Sequence, residues 1–281
     1  MSIQAQKSEL RAYLAETRLA RAFSRRSLMT GIVIAVCALM TIWSHIVWGS
    51  VQKQPGMAEL PLDAVLMSGG RVRALIVQQH EWWRLLSAGW LHGGWGHLGV
   101  NGVTLFFMGP SIERLYDRWR FMLLLTFSIL GGSVMGLVFS DGLSIGISGG
   151  LAGLLGAVLG YAIRYRRSIP RQITQSFVQQ VLVMLVLNVI VLAGEPGIDH
   201  WGHLGGLLTG FVFGLVARAA SVEPMPSPDR VRWLATLLTG LNLWAISMVF
   251  MNATQCLSSV HRFEGCYEVA LKPLAPEVPA E

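Results

Sequence analysis

The stretch Ser144-Ile-Gly-Ile-Ser-Gly-Gly-Leu-Ala-Gly-Leu-Leu-Gly-Ala157 opens an apolar run, 146–163, that carries no charge before its end. A helix that crosses a bilayer needs about 20 such residues, with about 17–25 tolerated. Polar groups at membrane depth are expensive and default to functional roles. Ser148 is therefore notable at the head of this run. Ser148, Gly149, Ala152, Gly153, Gly156 and Ala157 form one strip of small side chains along the helix. Such strips let helix backbones approach closely.

Working outward, similar apolar runs occur at 29–49, 97–109, 121–139, 175–193, 202–217 and 233–252. The second is the shortest and is expected to begin in the tract before His97. Only 14% of the 281 residues are charged and 53% are hydrophobic, against about 25% charged in a soluble domain. The chain is thus read as an all-α polytopic membrane protein with seven spans. The division is a tail at 1–28, a six-helix core at 29–217 with an outer connection at 50–96, a linker and seventh helix at 218–252, and an outer tail at 253–281. The first apolar run follows a basic stretch without a cleavage signature, so it is expected to be retained.

The formal charge of +6 would suggest nucleic acid in a soluble protein. Here the basic residues stand between apolar runs and read as topology signals. Lys7, Arg11, Arg18, Arg21, Arg25 and Arg26 precede the first span. Arg114, Arg118 and Arg120 follow the second, Arg164, Arg166, Arg167 and Arg171 the fourth, and Arg218, Arg230 and Arg232 the sixth. The short connections at 140–144 and 193–200 have no Lys or Arg. The alternation predicts a cytoplasmic N-terminus and, after seven spans, an outer C-terminus. Cys256 and Cys266 would then lie outside, where an oxidising compartment permits a disulfide or leaves two thiols. A bacterial plasma membrane fits this arrangement.

The second, fourth and sixth spans run the same way, so the polar groups at their heads share one depth. These are His97 and Asn101, Ser148, and His203. Serine beside histidine can form a nucleophile and its base. In the sixth span Gly206, Gly210 and Gly214 repeat every four residues, with His203 one turn before Gly206. Packing that strip on the strip after Ser148 would join the pair. His97 and Asn101, four apart, share a helix face. With the Ser148 backbone N–H they could donate to an oxyanion. His92 sits in a glycine-rich bend and reads equally as structural, and His200 as a loop residue. No carboxylate lies in the fourth or sixth span and Asp199 falls in the outer loop, so a dyad is expected. The tryptophans of 50–96, a connection read as non-helical, fit an interfacial anchor or a structure beside the site. No metal or cofactor is implied, and no CxxC occurs.

Four pieces in order resemble the rhomboid family of intramembrane proteases, from Glu81 to about Gly214. They are Trp83-Arg84 with Leu91-His-Gly-Gly-Trp-Gly-His-Leu-Gly-Val-Asn101, Gly109-Pro-Ser-Ile-Glu-Arg-Leu-Tyr116, the 144–157 stretch, and Ile198-Asp-His-Trp-Gly-His-Leu-Gly-Gly-Leu-Leu-Thr-Gly210. The resemblance implies a polar cavity with a Ser148–His203 dyad, an oxyanion site at His97 and Asn101, and a structured outer loop. Gly146, Gly149, Gly206 and Arg84 would support it, and Glu113 with Arg114 would brace the cytoplasmic turn. It also implies single-span membrane-protein substrates, cut near the outer boundary, with the lipid bilayer as surroundings. In the family a Phe or Tyr often stands four residues after the serine, against the histidine; here Ala152 takes that place. Two other classes compete. A client-binding relative without activity would be marked by loss of the serine or histidine, and a channel would show an acidic relay or inverted repeat.

Overall fold

The computed structural model describes residues 6, 13–14, 17–18, 20–51, 59–168, 175, 179, 183, 198–223 and 229–257. The expected fifth span, Cys266 with its pairing to Cys256, and the tail beyond residue 257 lie outside the described residues. Within them the regular structure is helical, apart from two isolated backbone bridges, Glu59 with Gly94 and Arg71 with Ser144. The long helices are α1 (Leu28–Val51), α5 (Trp95–Tyr116), α6 (Arg118–Phe139), α7 (Ser148–Arg164), α8 (His200–Val216) and α9 (Asp229–Leu257). The stretches Ala20–Trp48, Arg118–Phe139 and Arg230–Ala253 are each long and apolar enough to cross a membrane, and Ser148–Arg164 is a shorter apolar helix. The protein is an all-α polytopic membrane protein.

In the 50–96 connection, expected to be non-helical, the described residues 59–94 form short helices α2 (Leu62–Met67), α3 (Arg73–Gln78) and α4 (Arg84–Ser87), then a 3-10 turn at Ala88–Trp90. The reason is a buried organiser. Arg84, 2% exposed, donates to the Leu66 carbonyl at 2.6 Å, the Gly70 carbonyl at 3.0 Å and Glu81 Oε2 at 2.5 Å. Its planar fork satisfies one carbonyl in the last turn of α2 and one in the turn that follows, and the apolar side chains Leu66, Val72 and Leu75 cluster nearby. Trp83 and Trp90 are buried while Trp82 and Trp95 are exposed. The tryptophans thus divide between core and surface.

The charged connection expected after the second span shrinks to Asp117. Arg114 lies in α5, and Arg118 and Arg120 lie in α6. Asp117 turns the chain at φ +79°, and its Oδ1 accepts from the N–H groups of Trp119 and Arg120. Those are first-turn donors with no helical partner of their own. The second span therefore runs on to Tyr116, past the expected end at 109. One turn earlier, Glu113 accepts from the N–H groups of Met29 and Thr30 at 3.0 and 2.9 Å and from the Thr30 hydroxyl at 2.9 Å. A buried carboxylate of α5 thereby caps α1, and Arg114 Nε donates to the Arg25 carbonyl at 3.1 Å.

The core holds Leu105, Leu115, Phe121, Leu124, Leu154 and Tyr161 among others. Val103, Phe106 and Phe107 of α5 and Leu237 and Trp244 of α9 are exposed, on surfaces available to lipid. Cys37 is buried in α1. α9 packs on α6, α4 and α2. Two asparagines fasten it. Asn242 donates to Thr126 Oγ1 at 3.1 Å and accepts from Trp90 Nε1 at 2.9 Å, and Asn252 donates to the Met67 carbonyl at 2.7 Å.

Candidate active site

The approach to α7 turns at Gly146, whose φ of +108° lies where side chains are strained. The glycine is needed sterically as well. A Cβ there would stand 2.7 Å from His97 Cε1 and Nε2 and 3.4 Å from Asn101 Nδ2. The Gly146 N–H donates to the Ala88 carbonyl at 2.9 Å, pinning the turn to the 59–94 segment. Ser148 follows as the first residue of α7. Its backbone N–H is one of the four donors that a helix start leaves unpaired.

His203 comes from the first turn of α8. Asp199 caps that helix, with Oδ1 accepting from the Gly202 N–H at 2.9 Å. His200, expected in the loop, is the first residue of α8 and is exposed, because the cap starts the helix at that point.

α7 and α8 meet backbone to backbone. A Cβ on Gly206 would collide with the Gly149 carbonyl oxygen, one on Gly210 with that of Gly153, and one on Gly214 with that of Ala157. Gly156 and Gly160 make the reciprocal contacts with Leu207 and Phe211. In lipid no water is expelled between helices, so association rests on such close packing. α8 is held on its other side by α6, where Gly132 lies against the Gly202 carbonyl and Gly131 against Thr209. The outcome is a hydrogen bond of 2.7 Å between Ser148 Oγ and His203 Nε2, both residues half-buried.

His97 and Asn101 of α5 face the Gly146 turn from the other side. Asn101 is 5% exposed, and its Nδ2 has no partner among the described residues. His97 is exposed. His92 lies behind it, with ring centroids 5.0 Å apart, buried and with neither ring nitrogen hydrogen-bonded among the described residues. Burial, reinforced by His97, pushes the His92 pKa down to about 3. His92 is thus neutral at ordinary pH. Ala152 brings no ring to His203. Gly149 lies at the helix contact, whereas Arg84 and Glu113 hold the 59–94 segment and the far end of α5, away from the pair. Among the described residues no three His, Cys, Asp or Glu side chains converge as metal ligands.

Arg71 was not legible as part of this region from composition. It donates to Asp199 Oδ2 at 2.9 Å and is 1% exposed. The available signal was a basic residue on the side where the charge rule expects few.

A model of the rhomboid domain matches residues 79–220, just over half of the chain. The chain is 37% identical to "RHOMBOID-like protein 4" of Arabidopsis thaliana over 168 residues, 59% of this chain and 42% of that protein. It is 36% identical to "Rhomboid protease GluP" of Bacillus subtilis over 146 residues, 52% of this chain and 28% of that protein. It is 30% identical to "Rhomboid-type serine protease 2" of Emericella nidulans over 153 residues, 54% and 29% of the two chains. The matched part spans less than half the length of each of these relatives. With its glycine-packed helices and the domain match covering Glu81 to Gly214, this protein belongs to the rhomboid family.

Proposed function

We propose that the chain is an intramembrane serine endopeptidase with Ser148 as nucleophile and His203 as general base. The observation that carries this reading is the 2.7 Å hydrogen bond between Ser148 Oγ and His203 Nε2, a distance suited to proton transfer. Two of the relatives carry protease in their names, "Rhomboid protease GluP" and "Rhomboid-type serine protease 2".

In the reaction, Ser148 Oγ attacks the scissile carbonyl carbon while His203 Nε2 takes its proton. The tetrahedral oxyanion accepts from the Ser148 backbone N–H, Asn101 Nδ2 and His97. The C–N bond then breaks, the amine leaves with the proton from His203, and an acyl ester remains on Ser148. Water, deprotonated by His203, hydrolyses the ester and restores the hydroxyl. The Asp199 carboxylate is committed to Arg71 and the Gly202 N–H, which supports a dyad without a third carboxylate.

The substrates are membrane proteins with a single span, cut near the outer boundary. The N-terminus is cytoplasmic and the C-terminus, after seven spans, lies outside. Arg114, Arg118, Arg164 and Arg218 all lie at helix ends away from Ser148, which supports this orientation. The three relatives come from dissimilar organisms, so the likeness selects no organism or organelle.

The test is cleavage of a single-span reporter co-reconstituted in liposomes with wild type, Ser148→Ala or His203→Ala. Loss of cleavage in both variants at equal protein supports the dyad. Unchanged cleavage in both sinks it. Absence of cleavage by all three, together with no labelling of Ser148 by a fluorophosphonate, favours a client-binding protein without activity.

A further inference from the structure

Arg71 stands in the outer segment, yet it is 1% exposed. Its backbone pairs in both directions with Ser144: its N–H donates at 2.9 Å and its carbonyl accepts at 3.0 Å. Its guanidinium donates to Asp199 Oδ2 at 2.9 Å and to the carbonyls of Gly142 at 3.4 Å and Ser140 at 3.5 Å. Ser144 precedes Ser148 by four residues, and Asp199 precedes His203 by four. One side chain therefore grips both approaches to the pair. Asp199 passes the grip on, because its Oδ1 accepts from the Gly202 N–H and its main-chain carbonyl from the His203 N–H at 3.0 Å.

The ion pair lies against bare backbone of α6. A Cβ at Gly136 would stand 2.7 Å from Asp199 Oδ2 and 2.9 Å from Arg71 Cζ and Nη2. Burying two charges is expensive, and replacing such a pair with apolar groups is often neutral or stabilising. The best-attested use of a buried pair is to set register. A rigid guanidinium fork suits that use, since each of its donors has a fixed direction.

We infer that Arg71 and Asp199 are positioning residues that set the spacing of Ser148 and His203, by clamping the 140–144 loop to the cap of α8 across Gly136. The inference rests on the dyad proposed above. It concerns geometry, and neither residue touches substrate.

The experiment uses the full chain in liposomes and the double variant Arg71→Met with Asp199→Asn. No buried charge is left alone, so stability is retained, and the amide oxygen can still accept from Gly202. Two readouts are taken. The first is kcat and KM on the reporter per folded molecule. The second is the distance between nitroxide labels at positions 141 and 200, both exposed, with Cys37, Cys256 and Cys266 replaced by Ala. The expected result is a kcat lower by about 100-fold, the scale of a ~1 Å misplacement, with KM shifted less than about twofold. The label distance should broaden from one narrow distribution. A double variant with wild-type kcat, or with the wild-type distance distribution, overturns the inference. The distance reads no chemistry, so it decides the matter even if wild type cleaves no reporter; that outcome, together with no fluorophosphonate labelling of Ser148, would count against the dyad reading instead. If the double variant fails to fold, Gly136→Ala displaces the pair with both charges kept, and the same readouts apply.

Discussion

Gly206 of α8 rests on the carbonyl oxygen of Gly149, the residue after Ser148. No side chain fits between them, so the helices stand at the spacing that the Ser148–His203 hydrogen bond requires. Gly206→Val would drive α8 away from α7. Overpacking of this kind costs about 1–3 kcal/mol, and a ~1 Å displacement of reacting groups costs about 100-fold in rate. We expect reporter cleavage to fall by at least that factor while the protein still inserts. Cleavage within a few fold of wild type would show that the contact is not what spaces the pair.

Asn101 offers, beside the Gly146 turn, a buried Nδ2 that has no partner among the described residues. An oxyanion donor is worth about 10²–10³ in kcat. Asn101→Ala is expected to lower kcat on that scale and leave KM nearly unchanged, since the bond forms in the transition state. A rise in KM with kcat intact would assign Asn101 to substrate binding.

The Glu113 carboxylate caps α1 through two backbone N–H groups and the Thr30 hydroxyl. Glu113→Ala leaves the buried Thr30 N–H and hydroxyl unsatisfied, at about 1–3 kcal/mol for each such group. At about 2–4 °C per kcal/mol for a chain of this size, thermal unfolding in detergent should shift down by about 5–20 °C. Activity per folded molecule should persist at low temperature, because Glu113 is remote from Ser148. A kcat that falls with no change in midpoint would contradict this division.

His92 gives a pH dependence of stability. Its folded pKa of about 3 lies below the ordinary 6.5, so between these values the unfolded chain binds the extra proton. Stability contributed by neutral His92 is present above pH ~6.5 and falls as pH drops toward ~3. His92→Phe removes the titration and keeps an aromatic ring. Its thermal midpoint should vary less between pH 6.5 and 4 than that of wild type. Parallel curves would show that His92 does not govern the acid loss.

The membrane class, most helix positions and the Ser148, His203, His97 and Asn101 candidates are properties of local pattern. An apolar run long enough to span is visible without any partner, and a polar residue at its head is visible by contrast. The helical content of 59–94 was not legible, because α2, α3 and α4 are too short to show periodicity. They depend instead on a buried guanidinium that collects carbonyls from residues 66 and 70. The one-residue turn at Asp117 escaped for a related reason, since charges near a helix end read as a loop until their capping bonds are seen.

Sequence alone determined the membrane class and singled out Ser148, His203, His97 and Asn101 as candidates, since residue type and depth in an apolar run are local quantities. Only the tertiary structure decided that Ser148 Oγ and His203 Nε2 lie 2.7 Å apart and that Arg71 meets Asp199. Those distances join residues 55 and 128 positions apart along the chain. They depend on glycine contacts and buried charges that act only once the helices have packed.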